Sequence, residues 1–121
     1  MRKITRKGLI RKLDKICSDI VRGRGYCQKC NQSDPRHLQT AHIFSRRFHN
    51  TRWDIKLNLV CLCDKCHWDA HLKPLLFSEW VKDFLGEYNY NALKNNAATI
   101  KKWTTEELKE LLITLQTLGE R

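Results

Sequence analysis

Leu57-Asn58-Leu59-Val60-Cys61-Leu62-Cys63-Asp64-Lys65-Cys66-His67-Trp68-Asp69-Ala70-His71-Leu72 is the stretch on which the fold of this chain turns. Residues 57–62 are a short apolar run bounded by polar residues, which predicts a strand. Residues 64–72 can form a helix, and that helix places His67 and His71 one turn apart on a single face, as a shared metal ion requires. At the junction stands Cys63-x-x-Cys66, matched upstream by Cys27-x-x-Cys30. Four thiolates in two close pairs suit tetrahedral zinc, because each two-residue gap lets one turn aim both sulfurs at one ion.

The 32 residues between Cys30 and Cys63 exceed the spacing of an ordinary zinc ribbon, so they predict an inserted unit with its own structure. Residues 31–36, with Ser33-Asp34-Pro35, read as a turn. Residues 38–44 read as a first short strand and residues 45–56 as a loop. The predicted order is strand, loop, strand, helix, with His42 near the end of the first strand and Asn58 two residues into the second.

Outside this unit the chain predicts helical support. Leu9, Ile10, Leu13, Ile16, Cys17 and Ile20 recur at helical spacing until Gly23 and Gly25. The opposite face, with Arg2, Lys3, Arg6, Lys7, Arg11, Lys12 and Lys15, stays wet and open to phosphates. Cys17 reads as a buried small hydrophobe. After Pro74, Phe77, Trp80, Val81, Phe84 and Leu85 keep one helical side up to Gly86 and predict an aromatic core face. Thr104 and Glu107 form a capping-box pattern, with Trp103 and Leu108 as the hydrophobic staple. Leu108, Leu111, Leu112, Leu115 and Leu118 make the stripe of a last helix that Gly119 stops. Residues 88–102, rich in Asn, carry no clear pattern. The expected fold class is α+β, mostly helical, in one domain over residues 1–121: a basic helix in 1–24, a zinc-stapled core in 25–73 and a helical extension in 74–121.

A chain of 121 residues supports a modest core that a metal staple would help. It has no long apolar run and no charged-apolar-small leader, so the expectation is a soluble cytoplasmic protein with reduced thiols; three disulfides in a secreted protein are the minor alternative. Lys plus Arg outnumber Asp plus Glu by 23 to 13, a net charge of +10, the electrostatic footprint of a nucleic-acid binder. Residues 1–24 hold nine basic and two acidic side chains, which puts the expected partner surface near the front.

Ala41-His42-Ile43, then Asn58-Leu59-Val60, then Cys63-Asp64-Lys65-Cys66-His67 resembles an HNH endonuclease of the His-Me finger superfamily, over about residues 27–71. The Ser45-Arg46-Arg47 stretch followed by Arg52-Trp53-Asp54 is similar to phage and prophage members. The resemblance implies a ββα-metal finger with a structural zinc held by four cysteines. It also implies metal-dependent hydrolysis of DNA, as nicking or cleavage in phage DNA processing or recombination, leaving 5'-phosphate and 3'-hydroxyl ends. His42, with a near-neutral reference pKa, is the candidate general base. Asn58 orients the His42 region or ligates metal. His67 and His71 hold a catalytic divalent ion, with Mg2+ or Mn2+ expected and Zn2+ or Ni2+ as alternatives. Cys27, Cys30, Cys63 and Cys66 hold the structural Zn2+. Arg46, Arg47 and Arg52, with Lys7 and Arg11, are candidate phosphate contacts on DNA. One position departs from the pattern: Ala41 stands where many members carry a ligating Asp or His.

Each residue also has a plainer reading. His42 alone would be a strand-end histidine, Asn58 a turn amide and His67 a neighbour of the zinc. His49 reads as solvated or phosphate-contacting, Cys61 as strand packing, and His37 carries no signal. A non-catalytic zinc-stapled DNA-binding module explains the charge and the cysteines, though not the set of His42, Asn58, His67 and His71. A redox protein would need labile thiols, which bound zinc suppresses. Monomer and homodimer are equally open.

Overall fold

Thr5 opens the first helix, α1 (Arg6–Arg22), by accepting the Gly8 N–H on its hydroxyl at 3.0 Å, in a computed structural model that describes residues 4–119. Leu9, Leu13, Cys17 and Val21, four residues apart, form the buried edge of this helix. Truncating Leu13, which has no exposed surface, to Ala would cost about 2–5 kcal/mol. The basic residues expected along α1 include Arg2 and Lys3, which lie outside the described residues.

The chain then turns through Gly25 and Asn31, both with positive φ (86° and 68°), and a short 3-10 turn at Pro35–His37 feeds the first strand. Strands β1 (Leu38–His42) and β2 (Leu59–Cys63) pair antiparallel, from Leu38 opposite Cys63 to His42 opposite Leu59. All five β2 residues are buried because the ribbon is covered on both faces. Thr40 Oγ1 donates to the Ser18 carbonyl of α1 at 3.1 Å. Gln39, which points the other way, meets the helix after β2, α2 (Asp64–Leu72). Both strands are shorter than expected at the loop end: the Asn58 side chain takes the N–H and carbonyl of Phe44, so pairing stops there and a clamp begins.

Pro74 starts α3 (Pro74–Leu85), where its missing N–H costs nothing, and Gly86 at φ 83° breaks the chain into α4 (Glu87–Ala98). The span without pattern is therefore mostly helix. Its asparagines are weak helix formers, and packing against α3, with Val81, Leu93 and Ala97 buried, decides the outcome. The aromatic side of α3 is the core face expected only in part. Val81 is buried, Phe77 and Trp80 are half-buried and packed against the core, and Phe84 is 43% exposed. Their rings stack on one another, with centroids 5.8 and 4.8 Å apart, and so shelter apolar faces at the core's edge.

The last helix, α5 (Thr105–Gly119), begins with both capping-box bonds: Glu107 N–H to Thr104 Oγ1 at 3.1 Å and Thr104 N–H to Glu107 Oε1 at 3.0 Å. Leu108, Leu112 and Leu115 lie in the core beside α1, and Trp103 meets Trp53 edge to face at 5.7 Å. Leu118, expected in the stripe, is 41% exposed near the helix end. The protein is thus α+β and mostly helical, with one two-stranded antiparallel sheet. Among the described residues no helix is long and apolar enough to cross a membrane.

Candidate metal centre and histidine cleft

The two cysteine pairs converge. Cys27 and Cys30 sit on the tight turn between Gly25 and Asn31, and Cys63 and Cys66 straddle the start of α2. Their four sulfurs lie within 4.8 Å of one another and could hold a metal ion, and the Cys30 and Cys63 sulfurs are 3.6 Å apart. The Cys30 and Cys66 backbone N–H groups point at the first sulfur of each pair, at 3.5 and 3.4 Å. Burial pushes the Cys27 thiol up, but hydrogen bonds from the Cys63, Cys30 and Lys29 backbones outweigh it and bring the group down to about 7. Burial and the three neighbouring sulfurs push Cys66 the other way. So many thiols in one place compete for protons, a conflict that a cation removes. All six cysteines are free thiols. Cys17 and Cys61 lie outside the cluster, and Cys17 is pushed up to about 12 by burial and by the Asp14 charge.

The turn bearing Cys27 and Cys30 is sewn to β2. Gln28 donates its N–H to the Cys61 carbonyl at 2.8 Å and accepts the Cys61 N–H on Oε1 at 2.9 Å. Arg24 reaches the same Oε1 at 2.7 Å and the Leu59 and Ile55 carbonyls at 3.0 and 2.6 Å. Counted from sequence as one more cation of the basic segment, Arg24 works as an internal brace.

Towards the other end of the ribbon, His42, His67 and His71 line one cleft of about 680 Å³. His67 and His71 face each other on α2 with ring centroids 4.9 Å apart. The Gln39 Oε1 lies 2.6 Å from His67 Nδ1, which fixes that nitrogen as the N–H and frees the other ring nitrogen. Burial and then the His71 charge lower the His67 pKa below the usual 6.5. His42 is lowered too, chiefly by burial, with the Arg52 backbone acting in the other direction. The direction of that shift favours the uncharged imidazole at neutral pH. Among the described residues the four cysteines are the one group of three or more such side chains able to share an ion, so His42 is not a third ligand beside the α2 pair. Ala41, also in the cleft wall, has no donor to add.

Asn58 has no exposed surface. Its Oδ1 accepts the Phe44 N–H at 2.8 Å, and its Nδ2 donates to the Phe44 and Thr51 carbonyls at 3.0 and 2.9 Å. These bonds pin both ends of the loop between the strands. They also overturn the alternative that Asn58 ligates metal, since its carbonyl oxygen is sealed inside the loop and already bonded.

Comparison of the chain with protein families, with curated proteins and with solved structures gives no match.

Asp14 is the cleft residue that sequence reading misses. Its carboxylate accepts Arg52 Nε and Nη2 at 3.0 and 2.6 Å and Trp53 Nε1 at 2.8 Å, with Arg46 Nη1 at 3.7 Å. Burial raises its pKa, but the bonds from Arg52 and Trp53 more than offset that and hold it below the usual value. An acid inside a basic helix is the available signal. Arg52 is therefore corrected from a phosphate contact to a structural partner of Asp14, its side chain only 17% exposed. Arg46, at 62% exposed, and Arg47, over the Phe48 ring at 4.9 Å, remain on the surface, as do Lys7 and Arg11 on α1. Arg6, exposed, donates to the Trp103 carbonyl at 2.6 Å, and Lys15 pairs with Asp19 at 2.9 Å. His37 bonds Asp64 at 2.9 Å, and the His49 carbonyl accepts the Trp103 indole N–H.

Proposed function

We propose that this protein is a metal-dependent endonuclease of the HNH type, hydrolysing DNA phosphodiester bonds on a ββα finger stapled by zinc. The observation that carries the reading is the shared cleft: a neutral histidine at the end of β1 faces the same space as a histidine pair on α2. Zinc fits the cysteine cluster, because thiolates at about 2.3 Å from a tetrahedral centre stand about 3.8 Å from one another, close to the 3.6 Å between the Cys30 and Cys63 sulfurs.

A phosphodiester resists cleavage because water is a weak nucleophile and the departing alkoxide a strong base. A divalent ion held at His67 and His71, Mg2+ or Mn2+ in the first instance, would supply the charge that stabilises the phosphate and the leaving 3'-oxygen. His42 takes the proton from water, its lowered pKa favouring the base form. His67 and His71 offer their imidazoles to the ion, with Gln39 orienting His67 from behind. Asn58 acts by holding the loop that carries Arg52. Arg46 and Arg47, with Lys7 and Arg11, contact phosphates without reading sequence. The products are 5'-phosphate and 3'-hydroxyl ends, and the setting is phage or prophage DNA processing in a bacterial cytoplasm.

Supercoiled plasmid with the protein and Mg2+ or Mn2+ tests this. Conversion to nicked or linear DNA with ends that ligase rejoins directly is the expected result. Salt-dependent binding with no cleavage under either ion would leave a zinc-stapled DNA-binding module, the reading that Ala41, with no donor of its own, favours.

A further inference from the structure

The cleft extends beyond the histidines into an aromatic half that phosphate chemistry does not need. Phe44, Phe77 and Tyr90 wall it, with Pro74 and Val81 between them. Phe44 and Tyr90 lie 6.4 Å apart with planes tilted by 34°, Lys82 Nζ stands 5.3 Å over the Tyr90 ring and Phe77 is stacked on Trp80, so the three half-buried rings are braced by neighbours while they line the cleft. Ser78 and Tyr90 add hydroxyls to an otherwise apolar surface, and Arg46 adds a positive charge at the lining. Flat apolar walls beside three imidazoles and the Arg46 guanidinium, which stands 3.7 Å from the Asp14 carboxylate already bonded to Arg52, on a chain of net charge +10, select a ligand that is planar and apolar at one end and anionic at the other. A nucleotide unit has that form.

We propose that this pocket receives an unpaired nucleobase, so that the substrate is DNA with at least one base outside the duplex stack, as in a single strand or a bulge. The inference deepens the nuclease reading and rests on it. In intact duplex the bases are paired and stacked, with only their edges in the grooves, and none can enter a walled pocket while its phosphate reaches the histidines. A base freed from the stack enters without that cost and recovers stacking on aromatic side chains. Every base has a π-face, so this recognition tolerates any sequence.

The test measures binding apart from cleavage. Oligonucleotides of one length carry 2-aminopurine in a single strand, in a one-base bulge or paired in duplex, and are titrated with zinc-loaded His42→Ala protein at fixed salt. The expected result is about ten-fold tighter binding of the strand and the bulge than of duplex, with a fluorescence change confined to those two. Tyr90→Ala and Phe77→Ala should each erase most of that preference while duplex affinity stays within about two-fold, and Tyr90→Phe should keep it. Unchanged circular dichroism and zinc content in each variant establish that it folds. Equal affinity for all three DNAs with silent 2-aminopurine overturns the proposal, even if the wild-type protein cuts plasmid. Base-selective binding by a protein that cuts nothing would sink the nuclease reading and leave the pocket standing.

Discussion

The two ends of the β1-β2-α2 unit hold potential ligands in different ways. The cysteine end brings four sulfurs within 4.8 Å, supported by backbone N–H groups and the Arg24 and Gln28 bonds to β2. The histidine end brings two imidazoles together beside an open cleft, with Ala41, which has no donor, in its wall. A complete set of ligands leaves no position for substrate and serves the fold, whereas an incomplete set leaves positions for water and phosphate and serves chemistry. On the proposed function, the same short ribbon and helix would support a closed centre at the cysteines and an open one at the histidines.

Breaking the closed end should have the largest effect. Cys63→Ser is expected to lose zinc and unfold the domain, because metal binding at such a site is folding free energy; cooperative thermal unfolding with full zinc content in that variant would show that the four sulfurs are not a structural clamp. Breaking the open end should spare the fold. His71→Ala is expected to raise the Mn2+ concentration needed for half-maximal cleavage about 100-fold or more with circular dichroism unchanged, and Ala41→Asp, which supplies a third donor, to lower it. An unaltered Mn2+ dependence in both would place the ion elsewhere.

Smaller effects separate the supports from the site. Asp14→Asn removes one carboxylate oxygen from the Arg52 and Trp53 bonds, and so loosens the cleft wall that Asp14 and Trp53 share with His42. A drop of about ten-fold or more in cleavage at saturating DNA, with binding unchanged, is expected; a change confined to binding would make Asp14 part of the DNA surface instead. The smallest change should come from Arg46→Ala, which weakens DNA binding a few-fold and reduces the salt slope by about 1 without affecting stability. Arg52→Ala, losing a largely buried ion pair, should instead cost about 3 kcal/mol of stability, and the opposite assignment in a denaturation and salt-titration pair would reverse the roles given to these two arginines.

What is legible in the sequence follows from strong local spacing. The two C-x-x-C pairs, the apolar run before Cys63, the His67 and His71 face and the Thr104–Glu107 cap each carry their geometry within a few residues. What stays hidden depends on contacts across the chain. Asp14 is one of two acids among nine bases in residues 1–24, and only its meeting with Arg52, 38 positions later, gives it a role. Arg24 and Arg52 read as surface charge because a sequence does not show which cations turn inward. The helix of α4 is masked by its asparagines, and the half-open face of α3 by a periodicity that does not distinguish burial from ring-on-ring shelter. Asn58 stands out by its position, but its job as a clamp on Phe44 and Thr51 emerges only in three dimensions.

The central claim is that His42 is the base acting opposite an ion on His67 and His71. Single-turnover cleavage of one DNA by wild-type and His42→Ala protein, followed with Mn2+ across acid to neutral pH, tests it most directly. The wild-type rate should rise with pH through a limb lying below the ordinary histidine value of 6.5, since burial disfavours the charged ring, and then level off. The variant, folded and zinc-loaded, should be slower by about 100-fold or more and lack that limb. A variant with the wild-type rate, or with the same acid limb, would contradict the account.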